Sequence, residues 1–244
     1  MFAAESDSLA VGTSLEELKQ VLKAREYDSK LIAGLLGTEG SHALDGDLDN
    51  IKRLYDAGFR MMSLQHFFDN KLGGSLYGES NTGLTDFGRE AVRLIDSMGI
   101  MIDVSHSSPQ VVGDVLNLID SPLIVSHTGF KGHCDRKRNI SDDLMMRIAE
   151  RGALIGVGVW SEAVCGTDVA AIVDAIAYGV ETFRVDAVAL GSDWDGAVTT
   201  PIAANDLAYL TSAVLKRGLS EDHIRAVMGG YTIRYFLEHR PATD

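Results

Sequence analysis

Six short apolar runs recur along the chain, and stretches of helical length separate them. The runs lie at residues 31–36, 61–65, 100–104, 123–125, 153–159 and 187–190. They are too continuously apolar for strands with one face in water, so both faces of each strand should be buried. Buried strands that alternate with helices predict a parallel sheet. We therefore expect an α/β fold, and the 244 residues are enough for one β/α barrel.

Local signals predict where helices begin between these runs. Ser14 and Glu17 form a capping-box pattern, which opens a helix that continues to about residue 25. Pro109 follows Ser108 in the first-turn position that proline favours, so another helix should begin there. Further helices are expected near residues 47–57, 85–98, 141–151, 168–180, 205–217 and 220–237.

Side chains that bind metals or carry protons follow five of the apolar runs. These are Glu39, His66, His106, His127 and Asp193. In a β/α barrel the carboxyl ends of all strands meet at one mouth, where active sites are built. Five such side chains at strand ends favour a barrel around one centre. A doubly wound open sheet is the alternative fold.

The residue types at these positions suit a zinc site. His106 and His127 both end the sequence Val-Ser-His after an apolar run. Zinc takes imidazole nitrogens and carboxylate oxygens, and catalytic zinc keeps one position open for water. The ion lowers the pKa of that water to about 7 and so generates a nucleophile. The chain has no G-x-S-x-G, G-x-G-x-x-G or P-loop pattern, so serine-nucleophile, dinucleotide and P-loop chemistry have no support.

The charge balance excludes several classes of partner. Lys and Arg number 22 and Asp and Glu number 35, which gives a net charge of −13. Nucleic-acid binding depends on basic side chains that neutralise phosphates, so no nucleic-acid partner is expected. No apolar run approaches the ~20 residues that a membrane span needs. Because the N-terminus also lacks the basic start of a signal peptide, we expect a cytoplasmic protein.

The chain has two cysteines, Cys134 and Cys165. Two are too few for a disulfide framework, and no C-x-x-C pattern is present. Free buried thiols are therefore expected, and a disulfide formed in an oxidising compartment is the alternative.

Several motifs together resemble the renal (membrane) dipeptidase family. They are TEGSHA at 38–43, MSLQH at 62–66, GLTDFG at 83–88, IDVSH at 102–106, VSH at 125–127, RNISDD at 138–143 and GSDWDG at 191–196. The motifs occur in the order of the family and cover about residues 31–237. The resemblance implies a β/α (TIM-type) barrel of the metal-dependent hydrolase type, with two zinc ions, that cleaves dipeptides.

The resemblance also implies a role for each matching metal-binding position. Glu39 would bridge the two zinc ions, and His106 and His127 would complete the second zinc site. Asp193 would approach the first zinc ion. It would also serve as acid and base towards the attacking water and the leaving amine.

Two further positions are implied to bind the substrate. His66 would stabilise the oxyanion, and Arg138 would grip the terminal carboxylate of a dipeptide, because a planar guanidinium is a bidentate donor. Arg138 ends the basic run that begins at Arg136, and a solvated charge run is the alternative. Trp160 and Trp194 either form walls of the pocket or belong to the core.

The chain departs from the family pattern at its N-terminal end. The first strand of the family ends in His-x-Asp, which holds the first zinc ion, and no such strand is readable before residue 31. Only six of eight barrel strands are readable, so the barrel is expected to be incomplete. We expect a helical segment at 1–30 and a single partial barrel domain at 31–244. The open sheet edges favour association, so a homo-oligomer is expected.

Two functional hypotheses follow from these observations. The first is a zinc-dependent dipeptidase that holds one or two zinc ions, with activity reduced by the missing pair. The second is a non-catalytic remnant or interaction subunit that retains the barrel fold. A hydrolase of lactones or N-acyl compounds is a third alternative. Arg138 argues against it, since a carboxylate clamp suits a short peptide with a free C-terminus.

Overall fold

The computed structural model describes residues 8–183 and 186–239. Each of the six predicted apolar runs overlaps at least one strand, so these strand predictions are confirmed. The strands are, in chain order, β1 (Leu9–Val11), β2 (Ile32–Gly34), β3 (Leu36–Thr38), β4 (Phe59–Ser63), β5 (Met101–Asp103), β6 (Ile124–Thr128), β7 (Leu154–Val157) and β8 (Val188–Leu190).

Strands β3 to β8 form one parallel sheet in which neighbours in space are also neighbours in the chain. This order is that of a β/α barrel, and it confirms the predicted fold class. Only Leu35 separates β2 from β3, so residues 32–38 run as one extended segment. The first half of that segment pairs with β1 and the second half pairs with β4. Within the described residues β8 pairs only with β7, so the sheet does not close.

Helices follow most of the strands, as the alternation predicted. They are α1 (Leu15–Ala24), α2 (Asp49–Asp56), α3 (Asp86–Ser97), α4 (Pro109–Leu118), α5 (Asp142–Ala149), α6 (Ser161–Val164), α7 (Val169–Phe183), α8 (Leu207–Arg217), α9 (Glu221–Arg225) and α10 (Tyr231–His239). The predicted capping box of α1 is present, since Ser14 accepts from the Glu17 amide. None of the helices in the described ranges is long and apolar enough to cross a membrane.

Two elements differ from the sequence prediction. The predicted helix over 220–237 is broken into α9 and α10, because Gly229 lies between them with a φ of 133°, outside the helical range. A strand, β1, precedes α1, whereas the pattern before residue 31 predicted only a helix. Three residues are too few to show strand periodicity, and β1 is defined by its pairing with β2. The division of the chain at residue 31 stays a prediction.

The two faces of the sheet pack against different partners. On the outer face, Met62, Ile102 and Val125 belong to the large core formed with the helices. On the inner face, Met101, Ile124 and Leu154 pack with Tyr231 and Tyr235 of α10. The Tyr231 hydroxyl donates to the Gly152 and Ala153 carbonyls, and the Tyr235 hydroxyl donates to the Pro122 carbonyl. Helix α10 thus fills the inner face at the amino ends of the strands.

Cys134 and Cys165 form a disulfide, with Cα atoms 5.5 Å apart. The expectation of two free thiols was therefore wrong, and the alternative holds. The pairing could not be read from spacing, because it depends on how the loop after β6 packs against α6. Disulfides persist in oxidising compartments, so the pair does not support the cytoplasmic location expected from the sequence.

Candidate metal centre

The five predicted side chains converge at the carboxyl end of the sheet. Glu39 directly follows β3, His66 lies beyond β4, His106 beyond β5, His127 within β6 and Asp193 beyond β8. A cavity of about 460 Å³ opens at this end, and Glu39, His66, His106 and Asp193 line it. The parallel topology explains the convergence, since it brings the carboxyl ends of neighbouring strands to one edge.

Three donor atoms lie in mutual contact at the centre. The Oε1 atom of Glu39 is 3.0 Å from His106 Nε2 and 3.1 Å from His127 Nε2. The two Nε2 atoms are 2.9 Å apart. Ligands around one tetrahedral zinc ion with bonds of about 2.0–2.1 Å lie about 3.3 Å from one another. The donor types and their spacing therefore fit one zinc ion.

His66 and Asp193 extend this cluster on two sides. His66 Nε2 lies 3.6 Å from Glu39 Oε1. Two overlapping groups could each hold an ion, namely Glu39 with His66 and His106, and Glu39 with His127 and Asp193, each with ligand atoms within 4.8 Å of one another. Glu39 is common to both groups, which is the arrangement that a bridging carboxylate requires.

The protein environment sets the charge of these groups in the directions that metal binding needs. The imidazoles of His106 and His127, whose Nε2 atoms face the carboxyl of Glu39, hold its pKa well below its ordinary value, although burial opposes them. Burial lowers the pKa of His106, against the effect of Glu39, and so favours the neutral imidazole that binds metals. Burial raises the pKa of Asp193, and the neighbouring His127 opposes this rise. Asp193 is thus better suited than Glu39 to carry a proton.

A buried carboxylate beneath the centre orients His127. Asp103 is 1% exposed, and its Oδ2 accepts a 2.6 Å hydrogen bond from the Ser126 hydroxyl. The same hydroxyl oxygen lies 2.8 Å from His127 Nδ1. Since the hydroxyl proton is directed to Asp103, Ser126 accepts the proton of Nδ1. That tautomer leaves the Nε2 lone pair free for a metal, as is common for metal-binding histidines.

Asp193 lies in an unusual backbone conformation beside His127. Its φ is 55°, in the left-handed region that few residues other than glycine adopt. Gly191, two residues earlier, lies so close to β6 that a Cβ atom there would be 2.2 Å from the Ser126 carbonyl oxygen. The chain can approach His127 only because this position is glycine, and this approach places Asp193 in the cluster.

Arg138 is buried rather than part of a solvated charge run, with 3% of its surface exposed. Its Nη1 donates to the Ser105 carbonyl and its Nη2 to the His127 carbonyl, each at 2.6 Å. Arg138 therefore supports the backbone beside both metal-binding histidines. Arg138 also lines the cavity, so its buried guanidinium can act on a group bound there.

Aromatic side chains form part of the cavity wall. Phe67, Tyr77 and Trp160 line the cavity, and Phe67 packs against His106 with ring centroids 5.6 Å apart. The indole of Trp194 instead donates to the Ile202 carbonyl, 2.9 Å away. Trp160 is thus the wall residue of the two tryptophans. Carboxylates of Glu162 and Asp195 complete the rim.

Sequence reasoning missed three residues that support or line the centre. Asp103 lies inside the apolar run at 100–104, and Ser126 directly follows the run at 123–125. The position of Asp103 is a usable signal, because an unpaired buried carboxylate is costly. Tyr77 lies in a loop with no periodic pattern, and the sequence offered no signal for it.

Comparisons with known proteins identify a family and a shared fold. The membrane dipeptidase family, peptidase family M19, matches residues 1–241. An amidohydrolase from Pseudomonas aeruginosa is 24% identical with a TM-score of 0.84, over 98% of this chain and 80% of the other. A metallopeptidase from Rhodobacter sphaeroides, liganded with a phosphinate mimic of the dipeptide L-Ala-D-Ala, is 22% identical with a TM-score of 0.82, over 98% and 71%.

A third solved structure, the probable dipeptidase PvdM from Pseudomonas aeruginosa, is 18% identical with a TM-score of 0.85. It covers 100% of this chain and 77% of the other. At these identities the solved structures establish a shared fold.

Proposed function

The chain belongs to the membrane dipeptidase family of metallopeptidases, and on this basis we propose that it hydrolyses dipeptides with the aid of zinc at the centre described above. The observation that carries the proposal is the contact among Glu39 Oε1, His106 Nε2 and His127 Nε2, which fits a metal in the same cavity as the buried cation of Arg138. A metal and a carboxylate-binding cation in one pocket suit a short peptide with a free C-terminus.

Glu39, His106 and His127 would hold one zinc ion, and Glu39 with Asp193 would supply part of a second site. When bound, zinc lowers the pKa of its water to about 7 and polarises a carbonyl oxygen. The family's His-x-Asp pair has no counterpart in residues 8–183 and 186–239 at this centre. We therefore propose one firmly held ion and an activity lower than that of a two-ion site.

Asp193 would carry the proton in the reaction. A carboxyl whose pKa is raised by burial can take a proton from the attacking water and return it to the leaving amine. This transfer replaces a poor leaving group, an amide anion, with a neutral amine.

His66 and Arg138 would bind the substrate. The imidazole of His66 lies at the edge of the cluster, 3.6 Å from Glu39, where it can donate to the carbonyl oxygen as negative charge develops there. The guanidinium of Arg138 would hold the carboxylate of the dipeptide, and Glu162 and Asp195 at the rim suit its ammonium group.

The direct test is hydrolysis of a panel of dipeptides with and without zinc, together with zinc stoichiometry. The matched pair of variants is His106→Ala, which removes a donor, and His223→Ala on α9, which does not touch the centre. We expect zinc-dependent turnover in the wild type and in His223→Ala, and its loss in His106→Ala. Folded, zinc-loaded protein without turnover would instead support the non-catalytic alternative.

We also propose that the protein self-associates. β8 is unpaired on one side within the described residues, and Ile32 of β2 is 57% exposed. Exposed strand edges and apolar side chains favour pairing between copies. Sedimentation over a concentration series tests this, and a monomer at all concentrations would contradict it.

A further inference from the structure

Tyr77 lines the candidate active-site cavity, and the proposed function leaves it without a role. Its side chain lines the cavity together with Arg138 and Glu162. Within residues 8–183 and 186–239 the hydroxyl makes no hydrogen bond. The residue is 37% exposed, so a ligand in the cavity can reach its side chain. A hydroxyl that is both accessible and unpaired is available to donate a hydrogen bond to that ligand.

The backbone around Tyr77 is fixed to the two strand ends that carry His66 and His106. The amide of Leu76 donates to the His106 carbonyl at 2.7 Å. The Ser75 hydroxyl donates to the His66 carbonyl, and the Ser75 amide donates to Asp69 Oδ1 at 2.7 Å. Tyr77 is therefore positioned by the same elements that position the metal centre.

The ring of Tyr77 is also held in place from its sides. Its centroid lies 6.0 Å from that of Phe67, and the ammonium of Lys137 lies 5.2 Å from it. These contacts favour the orientation of the ring that the structure shows. A preorganised donor loses little conformational entropy when a ligand binds, so its hydrogen bond contributes more to affinity.

The charges that act on the hydroxyl indicate which ligand group it meets. Burial raises the pKa of Tyr77, Arg138 lowers it and Glu162 raises it further. A phenol with a raised pKa stays protonated and can donate. Arg138 lines the same cavity and carries a positive charge, so the phenol and the guanidinium both favour an acceptor with negative charge there.

We propose that Tyr77 is a substrate-binding residue whose hydroxyl donates a hydrogen bond to the same dipeptide carboxylate that Arg138 holds. This inference rests on the proposed function and adds a second group to its carboxylate site. A neutral donor beside a cation distinguishes a carboxylate from a carboxamide, because the carboxylate accepts from both groups with a full negative charge.

The test compares two phosphinate mimics of a dipeptide, one with a free C-terminal carboxylate and one with a carboxamide. Binding of both to zinc-loaded wild type, Tyr77→Phe and Tyr209→Phe is measured by calorimetry. Tyr209 is exposed on α8 and serves as the matched control. A hydrogen bond to a charged group is worth about 1.5–3 kcal/mol, and 1.4 kcal/mol is tenfold in affinity. We expect Tyr77→Phe to weaken the carboxylate mimic about tenfold or more and the carboxamide less than threefold.

Hydrolysis kinetics provide a second readout. For a dipeptide substrate, Tyr77→Phe should raise KM about tenfold and change kcat little, because the hydroxyl is proposed to meet the terminal carboxylate and not the bond that breaks. Equal weakening of both mimics, or no weakening of either, would overturn the role of Tyr77 alone. A wild type that binds neither mimic would overturn the proposed function and this inference together.

Discussion

The hydroxyl of Ser126 donates a 2.6 Å hydrogen bond to the buried carboxylate of Asp103. The two residues lie on neighbouring strands, β5 and β6, one layer beneath the metal centre. Because the same hydroxyl also contacts His127 Nδ1, this pair fixes the tautomer of a metal-binding histidine. Asp103 and Ser126 thus orient a metal ligand, although neither residue is itself predicted to bind the metal.

Ser126→Ala should weaken zinc binding without unfolding the protein. Loss of the hydroxyl frees the His127 ring to adopt the other tautomer, and loss of such an outer partner typically costs 10- to 100-fold in metal affinity. We expect a decrease of about that size in competition with a chelator. Ser97→Ala, which removes a hydroxyl that donates to the Leu94 carbonyl at an exposed position of α3, is the control. Equal affinity in both variants would show that Ser126 does not orient the ligand.

Arg138→Lys should destabilise the metal-free protein. The substitution keeps the charge but removes the fork that donates to the Ser105 and His127 carbonyls, which leaves at least one of them unpaired in the interior. We expect the free energy of unfolding to fall by about 2–4 kcal/mol in urea titrations. Arg217→Lys, at an exposed ion pair with Asp174, should leave the free energy of unfolding nearly unchanged. Similar values for the two variants would contradict a supporting role for Arg138.

Removal of the disulfide should lower stability through the unfolded state. The bond closes a loop between residues 31 positions apart, and the chain-entropy relation gives about 3–4 kcal/mol for a loop of that size. The double variant Cys134→Ser with Cys165→Ser should unfold at a correspondingly lower urea concentration. Reduced wild type should match the variant. If oxidised and reduced wild type unfold at the same midpoint, the bond does not contribute in this way.

Acid should loosen the loop that carries Tyr77. Hydrogen bonds from the Ser80 and Ser75 amides lower the pKa of Asp69 below its ordinary value, despite some burial. A carboxyl whose folded pKa is lowered stabilises the fold above its unfolded pKa, about 3.9, and this stability is lost as pH falls through the folded pKa.

The comparison of wild type with Asp69→Asn tests this directly. The difference in free energy of unfolding should be largest above about pH 5 and should shrink as pH falls towards 3. Amide hydrogen exchange at residues 75–80 should follow the same trend. A difference that does not vary with pH would mean that the charge of Asp69 contributes nothing to the loop.

The sequence predicted those parts of the centre that depend on strand order alone. Glu39 and His106 follow apolar runs, and parallel strands must bring such positions to one edge. The link from Asp103 to Ser126 depends on the register of β5 with β6, which periodicity does not specify. Tyr77 depends on loop hydrogen bonds to strand-end carbonyls, and the disulfide depends on loop packing. These features arise from tertiary contacts between segments that carry no local signal.

The extended segment at residues 32–38 connects the N-terminal strand β1 to the metal centre. It pairs with β1 at its start and leads directly to Glu39 at its end. Glu39 already lies beside both histidines, so a metal bound there would hold the carboxyl end of the segment in the position in which its amino end pairs with β1. By mass action a ligand at 100 times its Kd adds about 2.7 kcal/mol to the stability of the state that binds it. We therefore expect occupancy of the centre to stabilise the docked N-terminal strand as well.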